Sequence, residues 1–157
     1  MKNLLALIVF AMTTSLNAET LSVPSFQIEI QDGWEHSIEN GPGGDWGNTI
    51  SLRHTNGVGI LKMRSYHAPA VVSKDILRNL TNLESSIPLT WQNWGDYSGY
   101  QYSYVESDSY YRQWWLANGR TIIFVTYQCD PESKDFEAED IDEIIRSITL
   151  GSARQSD

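Results

Sequence analysis

The side chains able to act as catalysts or ligands are few and scattered. His36, His54 and His67 lie far apart in sequence and lack the His-x-x-x-His spacing that sets two imidazoles on one helix face toward a metal. Cys129 is the only cysteine and is followed by Asp130. A carboxylate beside a thiol raises its pKa and discourages nucleophilic use, and a lone cysteine reads better as a small buried apolar residue. Asp135, Glu137, Glu139 and Asp140 crowd the start of a helical pattern, where carboxylates suit the positive end of the helix dipole and face solvent. No Gly-x-Ser-x-Gly elbow, phosphate loop or cysteine-pair signature occurs. These residues assign no catalytic group, no cofactor and no metal set, and a non-enzyme is expected.

The aromatic residues are better organised. Tyr110-Tyr-Arg-Gln-Trp-Trp-Leu-Ala-Asn-Gly-Arg120 puts Trp114 and Trp115 side by side ahead of Asn118-Gly119. In a strand they point to opposite sheet faces. A two-residue turn at Asn118-Gly119 sets Trp115 opposite Ile122 and Trp114 opposite Ile123. The preceding turn, around Ser107-Asp108, sets Val105 opposite Tyr110, Tyr104 opposite Tyr111 and Tyr100 opposite Trp115. One face then collects Tyr100, Tyr102, Tyr104, Tyr111, Trp115, Ile122 and Phe124, the face expected under the helices. The other holds Gln101, Ser103, Val105, Tyr110, Arg112, Trp114, Ile123, Val125 and Tyr127. Trp114, between Arg112 and Gln101, has two readings. It packs under a loop such as the one carrying Trp46, with Arg112 stacked on an aromatic ring. Alternatively Arg112, Trp114, Gln101, Trp94, Tyr97 and Trp46 form a partner surface, in residue types enriched at interface hot spots.

Several elements must carry these residues. Phe26-Gln-Ile-Glu-Ile30 alternates as a strand, ending at Asp32-Gly33 before Trp34. Asn40-Gly-Pro-Gly-Gly-Asp-Trp-Gly47 is a loop by composition. Thr49 to Arg53 and Val58 to Tyr66 are strands around Asn56-Gly57, a hairpin signal. The period then changes. Ser73 can cap a helix whose apolar side is Ile76, Leu77, Leu80 and Leu83, and Pro88 prevents its continuation. Strand patterning returns from Trp91 to Cys129 in segments parted by turns. Asp130-Pro131 ends it, and Ser133 to Leu150 reads as a helix with Phe136, Ile141, Ile144, Ile145 and Ile148 on one side. The expected fold is α+β: an antiparallel sheet of about five to seven strands with two principal helices packed against it.

At the start, Lys2 precedes a short apolar run, Leu4 to Met12, and a polar stretch ending at Ala18. That is the layout of a secretory signal peptide, too short to span a bilayer, which takes roughly 20 apolar residues. The expectation is cleavage near Ala18, no membrane span or lipid anchor, and a periplasmic or secreted product. Residues 19–157 then form one domain with a short polar tail. The full chain carries a net charge of −9, one unit more negative once Lys2 is removed. Such a charge disfavours nucleic acid and suits a protein partner of basic charge.

Three short words resemble the PsbP-like superfamily, which includes DcrB-type bacterial envelope proteins. They are Ile28-Glu-Ile-Gln-Asp-Gly-Trp34, Gly95-Asp-Tyr-Ser-Gly-Tyr100 and the closing Ile141-Asp-Glu-Ile-Ile-Arg-Ser-Ile148. The resemblance implies an antiparallel sheet with helices packed on it and a role in binding or assembly. The chain lacks the lipid-anchor cysteine of DcrB, and no functional residue carries over by motif. The functional expectation is a non-catalytic, exported protein-binding module of the cell envelope. Two alternatives stand beside it: an immunity or inhibitor protein that neutralises a toxin or hydrolase, and a glycan binder or hydrolase.

Overall fold

A computed structural model describes residues 17–41 and 47–152; the signal-peptide reading and Trp46 fall largely or wholly outside them. The element order is β1 (Glu19–Val23), β2 (Phe26–Ile30), β3 (Trp34–Glu39), β4 (Thr49–His54), β5 (Ile60–His67) and α1 (Lys74–Leu80). Then follow β6 (Gln92–Trp94), β7 (Tyr97–Glu106), β8 (Ser109–Asn118), β9 (Thr121–Cys129), a 3-10 turn (Pro131–Ser133), α2 (Ala138–Arg146) and β10 (Thr149–Leu150). The fold is α+β. A seven-stranded antiparallel sheet has the order β3-β4-β5-β9-β8-β7-β6, and a smaller sheet has the order β1-β2-β10. The sequence reading has no second sheet, because the strand Glu19–Val23 abuts the expected cleavage site and Thr149–Leu150, a strand here, falls within the helix expected from Ser133 to Leu150.

Both hairpins around β8 keep the expected parity. The Ser107-Asp108 loop has two residues at positive φ, +48° and +61°, and sets Tyr104 opposite Tyr111 and Tyr100 opposite Trp115. The next turn lies one residue later than expected. Asn118 pairs with Thr121, so the loop is Gly119-Arg120, with Gly119 at φ +57°. Trp115 therefore faces Phe124 rather than Ile122, and Trp114 faces Val125 rather than Ile123. Moving the turn by one residue shifts the partner of every β8 residue by two, which preserves the face of every side chain.

What covers each face differs from the expectation. The side with Trp114, Leu116, Ile123, Val125 and Tyr127 holds the principal core. Ile141, Ile144, Ile145 and Ile148, together with Leu21, Phe26 and Ile28 of the small sheet, join it there. The tyrosine side carries a smaller cluster, in which Leu77 of α1 is buried against Tyr100, Trp115 and Ala117. The polar residues that made the Trp114 side look mixed lie at its rim, where Arg112 pairs with Asp142 of α2.

Both helices are shorter than their apolar periodicity. Ser73 caps α1, its Oγ accepting from the Ile76 N–H at 3.2 Å. Only Leu77 is buried, while Ile76 and Leu80 are about half exposed. The helix stops at Leu80, well before Pro88, because Thr81 and Arg78 turn the chain. The Arg78 guanidinium donates to the carbonyls of Leu83, Glu84 and Ile87, and Asn82 takes φ +54°. The expected helix from Ser133 begins instead at Ala138. Glu137 turns inward as its N-cap residue, leaving Phe136 exposed, and Ile148 is buried beyond the helix end.

Candidate functional site

The expected partner residues separate when placed in the fold. Trp114 is completely buried, Tyr97 likewise, and Trp94 nearly so. Tyr97 donates its hydroxyl to the Ser25 carbonyl at 3.0 Å, which ties the large sheet to the loop between β1 and β2. Burial pushes that phenol well above its ordinary pKa, helped by the nearby Asp96 carboxylate. Arg112 lies over the Trp114 ring, 4.6 Å from its centroid, and its guanidinium is held by Asp142. Gln101, half-buried, donates to Ser103 Oγ at 2.7 Å. Stacking of Arg112 on an aromatic ring belonged to one of the two sequence readings; α2 reaches this Arg112 through Asp142, and Trp46 lies outside the described residues. The exposure a partner surface needs is missing at Trp114, Trp94 and Tyr97, because α2 and the small sheet close that side of the large sheet.

The residues with chemistry also stay apart. His36 lies on β3, His54 on β4 and His67 at the far end of β5. Among the described residues no group of three His, Cys, Asp or Glu side chains could hold a metal ion. Cys129 is buried, and its Sγ–H donates to the Asp130 carbonyl at 3.3 Å. Burial pushes the thiol pKa up, and the carboxylates of Glu137, Asp130 and Asp135 add to the rise against an opposing hydrogen bond from Tyr127. A thiol in that setting stays protonated and unreactive at neutral pH. Glu137, read in sequence as part of a solvated helix start, is almost fully buried. It accepts from the Tyr127 hydroxyl at 2.7 Å and the Gly59 N–H at 3.0 Å. This clamp joins α2 to the β4–β5 loop, and burial with the Glu137 bond pushes the Tyr127 pKa up strongly.

An open apolar surface lies on the opposite, tyrosine side of the large sheet. α1 covers only one end of it. Beside the helix runs a groove of about 490 Å3 lined by Tyr66, Leu80, Thr81, Gln113, Trp115, Ile122 and Phe124. Tyr66 is 42% exposed and Leu80 52%. From the groove toward the β7–β8 turn, Tyr102, Tyr104 and Tyr111 stack as a ladder, with centroids 6.0 and 5.1 Å apart and planes within about 21°. All three are half-buried, with one side of the ladder open to solvent. Sequence reasoning placed the tyrosines under the helices and Leu80 on the apolar side of one of them, and so missed this surface. The signal was in Lys62-Met-Arg-Ser-Tyr66, where a tyrosine occupies an outward position of an alternating strand.

No family model matches the sequence, and no curated protein matches it. Solved structures do match. Cyanobacterial PsbP (CyanoP) from Synechocystis sp. PCC 6803 superposes with a TM-score of 0.57 at 13% identity, covering 93% of this chain and 98% of that one. LpqN of Mycobacterium tuberculosis, described as involved in cell envelope biogenesis, gives 0.55 at 11% identity, covering 87% of this chain and 92% of its own. A Bacteroides thetaiotaomicron VPI-5482 protein gives 0.62 at 16% identity over 87% of this chain, which spans about half (48%) of that protein's length. At such identities the likeness shows the fold, and the fold agrees with the words in the sequence that resemble the PsbP-like superfamily. This chain has the PsbP-like fold.

Proposed function

We propose that the protein is an exported, non-catalytic module of the cell envelope that binds another protein through the open tyrosine side of its large sheet. The observation that carries this reading is the groove beside α1, with Tyr66 and Leu80 exposed in its lining and Ile76 exposed one turn earlier on α1. Large apolar side chains gathered beside a tyrosine ladder are costly to leave in water, and such patches mark binding sites. Aromatic side chains supply much of the contact energy at protein interfaces. The scattered histidines, the raised Cys129 thiol and the structural use of Glu137 leave no described cluster that favours chemistry. LpqN, which shares the fold, is involved in cell envelope biogenesis, and the leader-like start of the sequence supports the same compartment.

Photo-crosslinking in the native host tests the reading. A benzophenone amino acid placed at Tyr66 or Tyr111 should trap one protein partner in the envelope fraction, and the same group at Glu139 on α2 should not. Crosslinks confined to Glu139 would move the interface to the acidic start of α2 and favour the inhibitor alternative. Recovery of the protein in the cytosol, or no protein crosslink from any position, would defeat the proposal.

A further inference from the structure

We infer that the groove receives a partner segment in which a large apolar side chain is flanked by carboxylates, an inference that rests on the protein-binding reading above. The chain as a whole is acidic, with a net charge of −9. The groove's rim on β5 has the opposite sign. Arg64 stands opposite Phe124 in the sheet register, and its guanidinium lies 5.4 Å from the Tyr66 ring centroid. Lys62, two residues along the same strand, shares that face opposite Thr126. Both side chains are exposed, and among the described residues neither makes an ion pair.

Three carboxylates of the sheet share that face. Glu35 is paired with Arg53 of β4, Glu39 lies in the row of Arg64 but two strands away, across Thr49, and Glu106 sits at the β7–β8 turn. Arg64 and Lys62 stand next to the groove and Glu39 two strands further out, so the rim on β5 is positive against the overall field. A ligand segment carrying Asp or Glu beside its apolar anchor gains from that rim, and one carrying Lys is repelled.

The groove's shape favours a side chain carried on a protein over a free lipid. Pockets that hold small ligands bury most of the ligand surface. Here α1 lines one side, where Leu80 is half in water, as is Ile76 one turn earlier on the same helix. An anchor delivered on a larger surface would cover that side as well as fill the groove. Gln113, on the groove wall, offers an amide to the incoming backbone.

Selection from a random peptide library displayed on phage, against the exported protein, tests this directly. Peptides enriched on wild type should place Asp or Glu within a few residues of Trp, Phe or Leu. They should bind about tenfold or more weakly to a Lys62→Glu, Arg64→Glu double variant, and equally weakly to Leu80→Glu, with melting curves showing both variants folded. Enrichment of basic peptides, indifference to charge reversal, or no enrichment over an uncoated surface would overturn the inference. So would saturable quenching of tryptophan fluorescence by dodecanoate that Leu80→Glu abolishes, since that assigns the groove to an acyl chain. A partner crosslinked at Tyr66 whose capture ignores the charge reversal sinks this inference while leaving the protein-binding reading intact. Absence of any crosslinked partner sinks that reading itself.

Discussion

Trp114→Ala destabilises the protein by about 3–5 kcal/mol, the range for removing a fully buried tryptophan. The ring is completely buried in the principal core, opposite Val125 on β9 and Gln101 on β7. Its removal leaves a cavity in the principal core. It also strips the Arg112 guanidinium of the aromatic face it stacks on, 4.6 Å away, while Asp142 still holds it. Trp114→Phe should cost much less. Phenylalanine keeps most of the apolar volume, and it lacks the indole Nε1–H, which is buried with no hydrogen-bond partner among the described residues. A buried donor left unpaired is itself unfavourable by roughly 1–3 kcal/mol. Urea unfolding followed by circular dichroism gives both numbers. Equal and small losses for the two variants would mean that Trp114 is solvent-accessible and the core assignment is wrong.

Gly95→Ala is the second large effect, at roughly 2–5 kcal/mol from backbone strain plus overpacking. Gly95 opens the turn between β6 and β7 at φ +55°, a conformation that favours glycine. A methyl group there would point into the Ile148 carbonyl oxygen, far inside van der Waals contact. The neighbouring backbone has little room to give. Asp96 N–H donates to that same carbonyl at 2.9 Å, Leu150 N–H donates to the Asp96 carboxylate at 3.0 Å, and Asn118 Nδ2 donates to the Asp96 carbonyl at 2.6 Å. This turn fastens the end of α2 to the large sheet. The variant should therefore lose thermal stability and free the segment around Ile148 to faster hydrogen exchange. An unchanged melting temperature would show that the junction is loose.

These two sites show what the sequence could and could not convey. Alternation from Tyr97 to Cys129 specified the faces of Trp114 and Trp115 correctly even though the Gly119-Arg120 turn sits one residue later than expected. A two-residue slip leaves parity untouched, so face assignment survives an error that pairing does not. Which layer covers which face was not legible. Gln101, Ser103 and Arg112 made one side look wet, whereas Arg112 is neutralised by Asp142, thirty positions later in the chain. Such long-range partners leave no local trace.

Helix length was misread for a related reason. The apolar spacing of Ile76, Leu77 and Leu80 is helical, yet of the three only Leu77 is buried. The spacing announces an amphipathic helix without saying whether its apolar stripe is covered by this chain or left for another. The candidate surface moved accordingly. Trp114, Trp94 and Tyr97 belong to the core, and the groove of Tyr66, Leu80, Gln113 and Phe124 lies on the other side of the same sheet. Glu137 shows the same limit. Nothing local distinguishes it from Asp135 or Glu139, and its burial depends on Tyr127 and the backbone of Gly59.

The dissociation constant of the crosslinked partner, measured for wild type, Leu80→Glu and Glu139→Gln, bears most directly on whether the tyrosine side of the sheet is the working surface. Burying a carboxylate in the groove should weaken binding about thirtyfold or more, equivalent to roughly 2 kcal/mol at an interface anchor. Glu139→Gln, on the far side of the molecule's large sheet, should bind as wild type does. A partner that tolerates Leu80→Glu but is lost with Glu139→Gln would contradict the account and put the interface on α2.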